Sequence, residues 1–93
     1  GLLPDFNNFG RYDRYDGVKR TLAHAPAICA KALNFDDKGN ETRTDYYRMM
    51  KIIHQSSYSG VITIEFEGHK VDPIAGSLKT KALIQKALKA AAA

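Results

Sequence analysis

The sequence predicts an α/β fold built from three successive strand-then-helix units, and three observations lead there. Val61-Ile62-Thr63-Ile64-Glu65-Phe66-Glu67 alternates apolar and polar residues, as a strand with one covered face must. Tyr46, Met49, Met50 and Ile53 fall at i, i+3, i+4 and i+7, which is one face of a helix. Asp72-Pro73 is a helix cap followed by proline at the first helical position. Strands alternating with helices imply parallel pairing through right-handed crossovers.

Taken in order, the chain opens with Gly1-Leu2-Leu3-Pro4-Asp5, which reads as the tail of a strand already under way. That opening predicts a fragment of a larger fold. Asn7-Asn8-Phe9-Gly10 forms the loop behind it, and a helix is expected from about Asp13 or Asp16 to His24, stopped by Pro26. Ala27-Ile28-Cys29-Ala30-Lys31 is short, apolar and bounded by loop signals, so it reads as a buried strand. Asn34 to Arg43 is a loop, with Thr44 expected as N-cap and Asp45 favourable to the positive helix end. Ser56 to Gly60 turns the chain into the Val61 strand. In the last helix Ile74, Leu78, Ile84 and Leu88 are expected on one broad apolar arc, and Ala90 to Ala93 read equally as helix or as alanines standing in for unidentified residues.

Composition narrows the function classes. Ninety-three residues make one small domain, and 44% hydrophobic with 26% charged residues describe a globular chain. The net charge of +4 comes from scattered lysines and arginines without a basic cluster interleaved with aromatics, so no nucleic-acid partner is expected. Cys29 is the one cysteine; it forms no internal disulfide, and a buried reduced thiol is its expected state. Neither a signal peptide nor an apolar run of membrane-spanning length is seen, which makes the cytoplasm the default and a membrane partner unexpected.

Strand parity gathers the candidate site. Ile62, Ile64 and Phe66 form one row of the third strand, while Thr63, Glu65 and Glu67 form the other. In parallel α/β sheets and barrels the C-terminal strand ends hold the active site. Asp5 ends the first strand, Lys31 the second, and Glu65 with Glu67 the third, so neighbouring ends lie about 4.8 Å apart. Carboxylates gathered this closely raise each other's pKa unless a cation intervenes. Lys31 or a divalent metal supplies it. One reading is a structural ion network around Lys31. The other is an oxygen-rich Mg²⁺ or Mn²⁺ site that polarises a hydroxy-carbonyl substrate while one carboxylate moves a proton between adjacent carbons. His69, directly after Glu67-Gly68, sits where substrate contact is expected, whereas His24 and His54 lie near helix C-termini and complement the dipole there. Asn7, Asn8 and Arg11 suit a sugar hydroxyl or phosphate, although Asn pairs also form ordinary turns. Asp36 to Glu41 lacks the ligand order of a calcium loop and reads as a turn.

An ordered set of motifs runs through nearly the whole chain. It comprises Pro4-Asp5-Phe6-Asn7-Asn8-Phe9, Tyr12-Asp13-Arg14-Tyr15, Ala30-Lys31 with Phe35-Asp36 and Gly39-Asn40-Glu41, and Asp45-Tyr46 through Ile53. Tyr58-Ser59-Gly60, Ile64-Glu65-Phe66-Glu67-Gly68 and Thr80-Lys81-Ala82-Leu83 complete it. Together they resemble the C-terminal part of the sugar phosphate isomerase/epimerase family, the xylose-isomerase-like barrels. The resemblance implies that residues 1–93 are the last three βα units of a (β/α)8 TIM barrel, incomplete by itself. A complete barrel needs about 250 residues. The remaining strands would come from a missing segment or from another chain, including a homo-oligomer. It also implies a divalent metal (Mn²⁺, Mg²⁺ or Zn²⁺) held by Asp5 and Glu65, with Glu65 as proton shuttle through an enediolate. Lys31 stands where relatives carry a metal-binding histidine, and a protonated lysine cannot ligate. The expected substrate is a small sugar or sugar phosphate, touched by Asn7, Asn8, Glu67 and His69, with Glu65 and Lys31 catalytic. The alternative is a non-catalytic or degenerate carbohydrate-binding barrel with a structural ion network.

Overall fold

The computed structural model describes residues 13–22, 27–56 and 58–93. The expected first strand, the Asn7–Gly10 loop and the residues Asp5, Asn7, Asn8, Arg11, His24 and Pro26 lie outside the described residues. Within them the order is α1 (Arg14–Thr21), β1 (Ala27–Ala32), α2 (Tyr46–Gln55), β2 (Val61–Phe66) and α3 (Pro73–Ala92). The two strands pair in parallel, from Ala27 opposite Val61 to Ala32 opposite Phe66, with α2 in the connection between them. The fold is mixed α/β.

Each helix starts where a carboxylate meets free backbone N–H groups. Asp13 caps α1, accepting the Tyr15 N–H at 2.8 Å. Asp72 caps α3, accepting from Ile74 and Ala75, with Pro73 in the first position as expected. The expected cap of α2 is corrected by one residue: Asp45, not Thr44, accepts the Arg48 N–H at 3.1 Å. Thr44 is buried, and its hydroxyl accepts from the Arg14 guanidinium at 2.7 Å. The guanidinium of α1 thus meets the hydroxyl that was expected to cap α2.

Helices cover one face of the strand pair. Ile28 and Ala30 of β1 meet Val18, Tyr46, Met49, Met50 and Ile53 from the first two helices, with Leu83, Ile84 and Ala87 from α3. Tyr46, Met49, Met50 and Ile53 are all buried, as their spacing requires. Full burial of side chains such as Met49 and Met50 contributes about 1.5–3 kcal/mol each.

The apolar arc expected on α3 is only half right. Ile84 is buried and Leu88 packs against the core, but Ile74 and Leu78 are 73% and 62% exposed. The face turned inward is Gly76, Thr80, Leu83, Ile84 and Ala87. Its small residues let the helix come close to β2, and the Phe66 ring lies directly on the backbone at Gly76, where any Cβ would overlap ring carbons. Close approach outweighs the roughly 1 kcal/mol that glycine costs inside a helix. Among the described residues no helix is long and apolar enough to cross a membrane.

Candidate functional site

The register sets Cys29 opposite Thr63 and Lys31 opposite Glu65, on the face away from Ile28, Ala30 and the helices. Glu67 follows the last strand residue, and its N–H still donates to the Ala32 carbonyl at 3.0 Å, so it keeps the strand's alternation. Lys31, Glu65 and Glu67 therefore stand together at the C-terminal ends of a parallel pair.

Four side chains form a continuous polar row. The Cys29 thiol donates to Glu65 Oε2 at 3.2 Å. The Lys31 ammonium lies 3.1 Å from Glu67 Oε1, its side chain 14% exposed against 45% for Glu67. Between these pairs the carboxyls of Glu65 and Glu67 are themselves in hydrogen-bond contact. Gathered carboxylates were expected to raise one another unless a cation intervened; Lys31 does intervene, and Glu67 is held below the ordinary carboxylate range. The hydrogen bond from Glu65 is the main cause and the Lys31 ammonium the second.

Several contacts fix the strand ends that carry this row. The Tyr46 hydroxyl donates to the Lys31 carbonyl at 2.6 Å, tying the strand to α2. Gly68 packs against the Leu33 carbonyl so closely that any Cβ would overlap it, which holds the chain after Glu67 against the chain after β1. Glu41, almost fully buried, collects four backbone N–H groups: Arg43 at 2.8 Å and Thr44 at 2.7 Å on one oxygen, Leu33 at 3.3 Å and Asn34 at 3.4 Å on the other. The Asp36–Glu41 segment is a turn, as expected. Asp36 accepts from the N–H groups of Asn40 and Lys38, which hold its carboxyl below the ordinary range, and Gly39 takes a positive φ of 82°. His69 is exposed in the segment after β2, and His54 is exposed in the last turn of α2.

Of the expected metal ligands, Glu65 is described and Asp5 lies outside. Among the described residues no group of three or more His, Cys, Asp and Glu side chains is arranged to hold a metal. The carboxyl pair faces an ammonium and a thiol instead, and neither a protonated lysine nor a hydrogen-bonded thiol offers a hard oxygen donor. With Lys31 at Glu67, the described residues do not complete an oxygen donor set for Mn²⁺ or Mg²⁺.

Two residues escaped the sequence reading. Cys29 was expected as a core thiol; it is buried, but it also shares the carboxylates' face, a placement its two-residue spacing from Lys31 could have signalled. Nothing local in the sequence aims Glu41 at the four amides it holds.

The two lowered carboxyls predict an acid-side loss of stability. A depressed folded-state pKa stabilises above the unfolded value, and this contribution disappears as pH falls through the folded one. The urea midpoint should be flat near neutrality and decline from about pH 5 toward pH 2. Glu67→Gln and Asp36→Asn should each reduce that slope, and unchanged slopes in both variants would contradict the assignment. Neither protein-family profiles nor curated proteins give a match to this chain.

Proposed function

We propose that this chain supplies the last three βα units of a (β/α)8 enzyme of the sugar isomerase or epimerase kind, acting on a small sugar or sugar phosphate. The convergence of Glu65 and Glu67 beside Lys31 at the C-terminal end of a parallel strand pair is the observation that carries this reading. Lys31 favours the ionised form of Glu67. As a carboxylate, Glu65 takes a proton from a carbon next to the substrate carbonyl. The C–H electrons form the enediolate double bond, and the negative charge passes to the carbonyl oxygen. Return of the proton to the neighbouring carbon, with the hydroxyl proton moving between the two oxygens, is isomerisation. Return of a proton to the opposite face of the same carbon is epimerisation.

A divalent metal would add polarisation of the carbonyl, but the described residues form no donor set for one. In this reading His69, Asn7 and Asn8 contact substrate hydroxyls or phosphate. Barrel closure is supported by what β2 and α3 leave uncovered: Val61, Ile64, Ile74 and Leu78 are exposed, and a further βα unit would cover such surface. That unit belongs to another segment or to another copy of the chain.

The closed row Cys29–Glu65–Glu67–Lys31 also suits a binding barrel in which the ions are only structural. One experiment separates the two. The intact protein is incubated in D₂O with a panel of aldoses, ketoses and their phosphates, and deuterium at carbon is read by mass spectrometry. Incorporation next to the carbonyl of one sugar is expected; sugar binding without incorporation across the panel would establish the binding barrel instead.

A further inference from the structure

We infer that Lys31 is the built-in cation of this site, compensating the Glu65–Glu67 pair where a divalent ion would otherwise be needed, and that the chemistry runs without a metal. The inference rests on the proposed proton transfer for its catalytic half, while its electrostatic half stands on geometry. Lys31 lies opposite Glu65 in the register and has its ammonium 3.1 Å from Glu67 Oε1. It is the more buried partner, set into the sheet face beneath an exposed carboxylate. The Tyr46 hydroxyl donates to its backbone carbonyl, and the side chain is only 14% exposed, so the charge is carried on an anchored strand end and a largely buried stem.

A divalent ion entering here would meet a fixed positive charge at ligand distance. Like charges at that distance repel, and a divalent ion doubles the effect of a single charge. It would also have to displace the Cys29 thiol from Glu65 Oε2 and the Glu65–Glu67 hydrogen bond to gain its oxygens. The lysine already performs one task of such an ion: it sets a positive charge 3.1 Å from one carboxylate of the pair. A covalently attached cation needs no loading, so the site should be indifferent to chelators.

Mn²⁺ binding to the intact protein, followed by the paramagnetic resonance of free Mn²⁺, tests the electrostatic half. The wild type should bind Mn²⁺ no better than millimolar. Lys31→Met, which keeps the stem and removes the charge, should bind it roughly tenfold or more tightly. Lys31→Arg should behave like wild type. Micromolar binding by the wild type, or an affinity that does not rise in a folded Lys31→Met protein, overturns the inference. Should Lys31→Met fail to fold, the wild-type and Lys31→Arg affinities decide by the same criterion. The catalytic half is read from deuterium incorporation with and without EDTA: equal rates are expected, and a rate abolished by EDTA and restored by Mn²⁺ overturns it. If no sugar in the panel incorporates deuterium, the proposed function fails by itself and the Mn²⁺ titration still decides the role of Lys31.

Discussion

Glu65→Gln should slow deuterium incorporation into the responsive sugar by about 10²–10⁴-fold, the usual effect of removing a positioned general base. The fold should survive, because a glutamine carbonyl can still accept from the Cys29 thiol and its amide can donate to Glu67. Equal unfolding midpoints with a collapsed rate would separate chemistry from stability. Glu67→Gln should cost less, since that carboxylate is paired with Lys31 and is not the assigned base. Undiminished incorporation in Glu65→Gln would sink the catalytic assignment.

The second large effect belongs to Glu41. Its carboxylate accepts two short bonds, at 2.7 and 2.8 Å, and two long ones, at 3.3 and 3.4 Å, and the residue is only 6% exposed. A hydrogen bond to a charged group contributes about 1.5–3 kcal/mol, and a buried donor left unpaired costs about 1–3 kcal/mol. The short pair should dominate, and water can reach the amides of the partly exposed loop. Glu41→Ala is therefore expected to destabilise by about 3–4 kcal/mol, below the four-bond sum, and to lower Tm by more than about 10 °C. Glu41→Gln keeps one acceptor oxygen but turns an NH₂ toward two donors, so it should lose about half as much. Urea denaturation of both variants checks this; a loss under about 1 kcal/mol in Glu41→Ala would mean that the loop is held by other contacts. Because that loop leaves the end of β1, the variant should also loosen Lys31.

Much of the site was legible because strand alternation is a local rule. Two-residue spacing alone puts Glu65 and Glu67 on one face and Ile62, Ile64 and Phe66 on the other, and the crossover helix implies that Lys31 comes alongside. The sign of the Glu67 shift was legible only as a condition, raised unless a cation such as Lys31 intervened. Parity shows that the carboxyls are close, but not that they meet in a hydrogen bond with an ammonium behind one of them. Repulsion and hydrogen bonding shift a pKa in opposite directions, and orientations decide between them.

The sequence by itself determined the α/β class, the order of the described elements, the cap at Asp72, and the buried face of α2. All of these follow from backbone hydrogen-bond needs and from periodicities spanning a few residues. Tertiary structure decided the rest. It chose Asp45 over Thr44 as a cap, while Arg14, thirty positions away in sequence, meets the threonine hydroxyl. It turned Gly76 and Thr80 inward on α3 and left Ile74 and Leu78 outside, because close helix–strand approach favours small side chains at the contact. It joined Cys29 to Glu65 across 36 positions of chain. Such contacts depend on register and packing distance, quantities that exist only once the elements have met, so no local period encodes them.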